Sequence, residues 1–148
     1  MKPVRIATIG FTQKNAEQFF TMLRNARVKR VLDVRLHNQS QLAGFSKQDD
    51  LAYFAKTILG IEYVHLTMLA PTQELMDAFK KAKGSWADFE KRFLDLMAKR
   101  EIERQLEPAL LNNGCLLCSE DKPHQCHRRL VAEYLKEKWR DVSIEHLV

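Results

Sequence analysis

Short apolar runs alternate with longer stretches whose apolar residues recur at helical spacing, and this switching persists along the whole chain. It is the pattern of an α/β protein. "VRIATIGF" (4–11) predicts a first strand, and "NAEQFFTMLRNARV" (15–28) a helix that turns Phe19, Phe20, Met22 and Leu23 toward a core. "KRVLDVRL" (29–36) predicts a second strand. After the polar loop "HNQSQLAGFS", "KQDDLAYFAKTIL" (47–59) predicts a helix ended by Gly60, whose missing Cβ suits a helix C-cap. "IEYVHLTML" (61–69) predicts the third strand. From 70 to 111 the pattern is helical, broken near Gly84 and Ser85, with Ser85 as N-cap of the helix over "WADFEKRFLDLMAKREIERQL". "GCLLCSE" (114–120) predicts a fourth strand, "QCHRRLVAEYLKEKW" (125–139) a helix, and "VSIEHLV" (142–148) a short last strand. The expected fold is α/β: a single three-layer domain, with a mostly parallel sheet of about five strands, helices on both faces and right-handed crossovers.

Composition narrows the function more than the fold. A chain of 148 residues, 45% hydrophobic and 29% charged, can bury a sizeable core. It has no run of about eighteen apolar residues, and "MKPVRIATIG" is too short in apolar length for a signal peptide. A cytoplasmic protein with no membrane partner is expected. Three cysteines, an odd number, argue against a disulfide framework and leave Cys115, Cys118 and Cys126 as free thiols. The net charge of +5 permits an anionic partner but lacks the lopsided balance of a dedicated nucleic-acid binder. The basic stretch "RNARVKR" (24–30) keeps nucleic-acid binding as a weaker alternative, without an aromatic stacking platform beside it. No cofactor fingerprint is visible, since none of the five glycines falls in a G-x-G-x-x-G pattern. Nothing in the pattern specifies an oligomeric state.

In a parallel sheet, ligands sit beyond the carboxyl ends of the strands. The first strand end offers Thr8, Gly10, Phe11 and Thr12; the second Asp33 and Arg35; the third His65; the fourth Cys118 and Glu120. Residues two apart share a strand face, which pairs Asp33 with Arg35 and Cys118 with Glu120. Asp33 and Arg35 fit either a structural ion pair or substrate binding, and an isolated His65 is more often a hydrogen-bonded structural group. Phe45 reads as a core anchor rather than a lid.

The densest chemistry lies in "CSEDKPHQCHRR" (118–129), at the junction of the fourth strand and the last helix. The spacing "CLLC" suggests a redox pair or half a zinc site, but positions three apart on a strand face opposite ways, so Cys115 is assigned to the core. Cys126 and His127 extend the apolar face of Leu130, Val131, Tyr134 and Leu135 backward by one turn. At a helix start, unpaired N–H groups with Arg128 and Arg129 nearby favour a thiolate or a bound anion, which predicts an acidic Cys126. Cys118 faces the same crevice, with Glu120 available to orient His127 or to move a proton. A buried polar network that merely locks the helix to the sheet is the plainer alternative.

These residues also carry a resemblance. "IATIGFT", "VLDVR" followed by a loop with Ser40 and "FS", "GIEYVHL" and above all "LLCSEDKPHQCHRRLVAEYL" resemble domain-of-unknown-function family 488, small bacterial and archaeal proteins with a C-x-E-x5-C-H-R arrangement. Cys118, Glu120, Cys126, His127 and Arg128 meet that arrangement. This chain departs from the family in having Gly10-Phe11-Thr12 where Gly-His-Ser is usual, and Leu36 and His37 where a proline often follows Asp-x-Arg. The resemblance implies an α/β domain with a cysteine-containing pocket and names no reaction.

Two functional classes emerge, besides nucleic-acid binding. A thiol-dependent enzyme would use Cys118 or Cys126 as nucleophile and His127 or Glu120 as acid or base, acting on a small or anionic substrate. Arg35 and Arg128 would hold the anion, with Thr8, Gly10, Thr12, Asp33, Ser40 and His65 around it. A phosphate-cradling Cys-x5-Arg loop is absent, because His124 and Ala132 stand six residues after Cys118 and Cys126; a rhodanese-like sulfur carrier is less constrained. A metal-binding protein would instead use Cys118, Cys126 and His127, with His124 and Glu120 as further donors.

Overall fold

Alternation along the strands decides which helices cover which face of the sheet. The structure, a computed structural model, describes residues 2–37, 44–120, 123 and 125–148. Five strands, β1 (Val4–Gly10), β2 (Arg30–Asp33), β3 (Glu62–His65), β4 (Gly114–Cys118) and β5 (Val142–Leu147), form one all-parallel sheet in the order β3-β2-β4-β1-β5. Ala7, Ile9, Val31, Cys115 and Leu117 point to one side, where α1 (Ala16–Asn25) supplies Phe19, Phe20 and Leu23 and α2 (Gln48–Phe54) supplies Leu51. Val4, Ile6, Leu32, Val34 and Leu116 point to the other. That second face is covered by α3 (Gln73–Lys80), α4 (Trp86–Arg100), α5 (Ile102–Gln105), α6 (Pro108–Leu111) and α7 (His127–Lys138). The result is a three-layer α/β architecture, parallel throughout where a mostly parallel sheet was expected. Among the described residues, no helix is long and apolar enough to cross a membrane.

Local signals account for most of the boundaries. Asn15 caps α1 with a reciprocal box, its side chain accepting from the Gln18 N–H while the Gln18 side chain accepts from the Asn15 N–H. Ser85 caps α4 as expected, and Gly60 ends the second helical segment in the left-handed region at φ 67°. The long helical stretch from 70 to 111 breaks more often than its periodicity indicates. Glu101 takes φ 52° between α4 and α5, and Pro108 opens α6 after an extended Glu107. The expected strand over 61–69 stops at His65, because Thr67–Leu69 coil into a 3₁₀ turn. Phe45 packs on Phe19 with the ring centres 5.1 Å apart and the planes tilted by 44°, as a core anchor does.

The topology sets the site. The crossover from β1 to β2 leaves a gap that β4 fills, so Gly10, Asp33 and Cys118 come side by side at the carboxyl edge. Packing there is close enough to require glycine at position 10. A Cβ on Gly10 would lie 1.5 Å from the Glu120 carbonyl oxygen and 2.8 Å from Arg128 Nη1. Gly114 is also tight, but its nearest obstacle is the flexible end of Leu32, at 2.6 Å. Gly10→Ala is therefore expected to cost about 2 kcal/mol or more, from displaced backbone, lowering the thermal midpoint by roughly 4–8 °C. Gly114→Ala should cost clearly less, and equal melting temperatures for the two variants would contradict this ranking.

Candidate functional site

Asp33 is the anchor of the site's cationic side. It is wholly buried at the end of β2 and accepts from the Arg35 backbone N–H at 3.1 Å, Arg35 Nε at 2.9 Å, Arg35 Nη2 at 2.8 Å and the Tyr63 hydroxyl. A buried carboxylate needs such saturation to remain charged. Arg35 Nη2 also donates to the Ser46 carbonyl at 2.7 Å, and the guanidinium lies 5.3 Å from the centre of the Phe11 ring. Burial works against the Arg35 charge, but the hydrogen bonds and charge of Asp33 outweigh it and hold the group above its ordinary range.

The sulfur side is built where β4 ends and α7 begins. Cys118 Sγ, Cys126 Sγ and a His127 ring nitrogen all lie within 4.8 Å of one another, and all three residues are buried. Cys126 occupies the N-cap position of α7 with φ −137° and makes no side-chain cap bond. Its thiol turns instead to Cys118. His127 Nε2 lies 2.6 Å from the Val34 carbonyl oxygen, an obligate acceptor. Nε2 therefore carries a proton, and Nδ1, 3.4 Å from Cys118 Sγ, presents its lone pair to that thiol when the ring is neutral. Phe93 packs on the imidazole at 5.4 Å.

The three thiols are driven apart by these surroundings. The Cys126 hydrogen bond, the backbone N–H groups of Ser119 and Glu120 and the nearby Arg128 charge hold Cys118 below the usual thiol range, despite its burial. Burial, and the role of donor to Cys118, push Cys126 well above it. The expectation of an acidic Cys126 is thus reversed: at this buried N-cap, desolvation and donation to Cys118 raise the Cys126 thiol, and the lowered thiol is Cys118. Cys115, on the opposite face, is raised by desolvation and behaves as a small apolar residue.

Arg35, Cys118, Glu120, Cys126 and His127 line one cavity of about 230 Å³ at the carboxyl edge. The other sequence candidates are placed around it, not in its wall. Thr8 Oγ1 lies 2.6 Å from His146 Nδ1 on β5, and the Thr12 N–H donates to the Ser119 carbonyl at 3.1 Å. Gly10 makes room for the Glu120 carbonyl, and His65 Nε2 lies 2.8 Å from the Arg35 carbonyl. Arg128, fully buried, donates to that same Glu120 carbonyl. Glu120 is exposed, and the group that orients His127 is Val34 rather than Glu120. Ser40 and His124 lie outside the described residues. The reading by strand ends missed the far wall, Met76 and Phe79 from α3 and Trp86 and Phe89 from α4. A usable signal existed in "FKKAKGSWADF", where aromatic residues flank the Gly84-Ser85 break.

No curated protein and no solved structure matches the chain. A family model does match, over residues 15–135, a span that holds Asp33, Arg35, Cys118, Cys126 and His127. With that span covering most of its length, the chain belongs to the family described as Domain of unknown function DUF488.

Proposed function

We propose that the protein is a thiol-dependent enzyme acting on a small anionic substrate, with Cys118 as nucleophile. The observation that carries this reading is the fixed line from the Val34 carbonyl through His127 to Cys118. It supplies a nucleophile, a base within reach and a third group that orients the base. In the reaction, the Cys118 proton passes to His127 Nδ1 and the sulfur attacks an electrophilic centre. The bond to the leaving group breaks, and His127 returns the proton to that group. Water then cleaves the bond to sulfur, and the thiol is restored. The Cys126 thiol and the Ser119 and Glu120 N–H groups stabilise the anionic sulfur before attack. Arg35 gives the cavity a cationic wall for the substrate.

A metal-centred reading has its own support in the clustering of Cys118, Cys126 and His127. The protonated Nε2 would serve a metal ligand as well as it serves a base, since an outer carbonyl fixes the ring with Nδ1 free to coordinate. Three protein donors would leave a position open toward the cavity.

Alkylation by iodoacetamide, mapped by mass spectrometry on the native protein, separates the cysteines. Because its charged form is favoured, Cys118 should reach its full rate below the ordinary thiol pKa of about 8.5. Cys126 should lag and Cys115 should react only on unfolding. A Cys118 rate still climbing above that pH would sink the nucleophile assignment, and thiols unmasked only by a chelator, with one equivalent of metal released, would favour the metal reading.

Replacing the base gives a second check. His127→Ala should slow Cys118 alkylation near pH 7 by about tenfold or more, a loss on the scale of one charge-assisted hydrogen bond, while leaving the rate at high pH nearly unchanged. An unchanged pH profile would mean that His127 is structural.

A further inference from the structure

The cavity has a second half that the thiol chemistry does not use. Away from the strand ends, α3 and α4 give the cavity a largely aromatic wall of Met76, Phe79, Trp86 and Phe89, with Lys80 beside Phe79. Trp86 and Phe89 lie nearly parallel, 5.1 Å apart with 19° between planes, and Phe79 closes the group at 5.7 Å from Trp86. Phe89 is buried, but Met76, Phe79 and Trp86 are only half-buried, leaving ring surface open to the cavity. Flat aromatic faces of this kind favour a flat apolar guest.

The polar half is equally specific. Three of the five Arg35 N–H donors are used, one from Nε to Asp33 and two from Nη2 to Asp33 and Ser46. Nη1, with its two protons, is buried and has no hydrogen-bond partner among the described residues. Arg35 itself is only 3% exposed and lines the cavity. A cationic donor left unpaired in the interior is costly, and its natural complement is an oxyanion of a ligand. Asp33 fixes the guanidinium plane, so the donor is held in place before any ligand arrives.

We infer that the substrate is an organic oxyanion with a flat, apolar and preferably aromatic body, its anionic group at the Arg35 end of the cavity and its ring against Phe79 and Trp86. This inference rests on the proposed thiol site by placing the guest beside Cys118, but it concerns recognition alone. The two cavity halves make a joint demand: an inorganic anion leaves the aromatic wall uncovered, and a neutral arene leaves the Arg35 wall without a counter-charge.

The test is calorimetric binding to full-length protein carrying Cys118→Ser, which removes the thiol chemistry from the measurement. The probes are 2-naphthoate, acetate and 2-naphthalenemethanol. Naphthoate should bind about tenfold or more tighter than either of the others. Phe79→Ala should weaken naphthoate without affecting acetate. Arg35→Met combined with Asp33→Asn, so that no buried carboxylate is stranded, should weaken naphthoate by a similar factor and leave the neutral alcohol unchanged. Arg35→Lys provides a milder variant should the double substitution unfold. Equal affinity for the three probes, or naphthoate binding indifferent to both Arg35 variants, would overturn the inference. The two proposals fail separately: slow Cys118 alkylation with tight naphthoate binding refutes only the thiol reading, and fast alkylation without naphthoate selectivity refutes only the substrate class.

Discussion

The hydrogen bond between His127 Nε2 and the Val34 carbonyl joins the last helix to the middle of the sheet across 93 residues of sequence. Val34 follows β2, and its own N–H still donates to the Leu117 carbonyl, so the backbone there is rigid. Its carbonyl would otherwise be a buried acceptor in need of a donor. Meeting that need through His127 fixes which ring nitrogen is protonated, which way the imidazole faces, and the depth at which α7 docks on the sheet. The placement of Cys126 beside Cys118 is a consequence, since Cys126 immediately precedes His127 on the same rigid turn.

Around that bond, three backbone constraints meet at one edge. Gly10 lets the Glu120 carbonyl press against β1, Arg128 reaches the same carbonyl from α7, and Asp33 binds Arg35 over the end of β2. Each buries a polar group, and each supplies its partner. That is why Thr8, Gly10, Thr12, His65 and Arg128 sit in the frame of the site rather than in its wall. Strand-end positions in a parallel sheet serve the loops that shape a cavity as often as they serve the ligand.

Much of this is legible in the sequence, for identifiable reasons. Period-two runs such as "VRIATIGF" and the alternation through "GCLLC" fix both strand faces, so the pattern alone assigns Cys115 to the core and Cys118 to the crevice. Breaks marked by Gly60 and Ser85 are equally plain. The break at Glu101 is not, because a left-handed glutamate carries no local signal of the kind glycine gives. The aromatic wall is hidden for a different cause: Phe79, Trp86 and Phe89 have the helical spacing of ordinary core residues, and only the packing of α3 against α4 reveals faces left open to the cavity. The expected acidity of Cys126 fails because a helix N-terminus favours a thiolate only while some solvation remains. Complete burial reverses the preference once a neighbouring sulfur is better supplied with donors.

The charge pattern bears on which chemistry this arrangement suits. Cys118 is faced by Arg35, approached by Arg128 and placed at the positive end of α7, whose first turn contains no acidic residue. Arg129 adds a further cation, already committed to Glu90 and Glu133. A single anionic sulfur is stabilised by every one of these groups. A divalent cation held by the same sulfurs would require both thiols to lose their protons, and the donors that now serve the Cys118 sulfur would compete with coordination. A second negative charge on Cys126, desolvated and close to the first, would gain little from the cations that already serve Cys118, which is why the Cys126 thiol is pushed up.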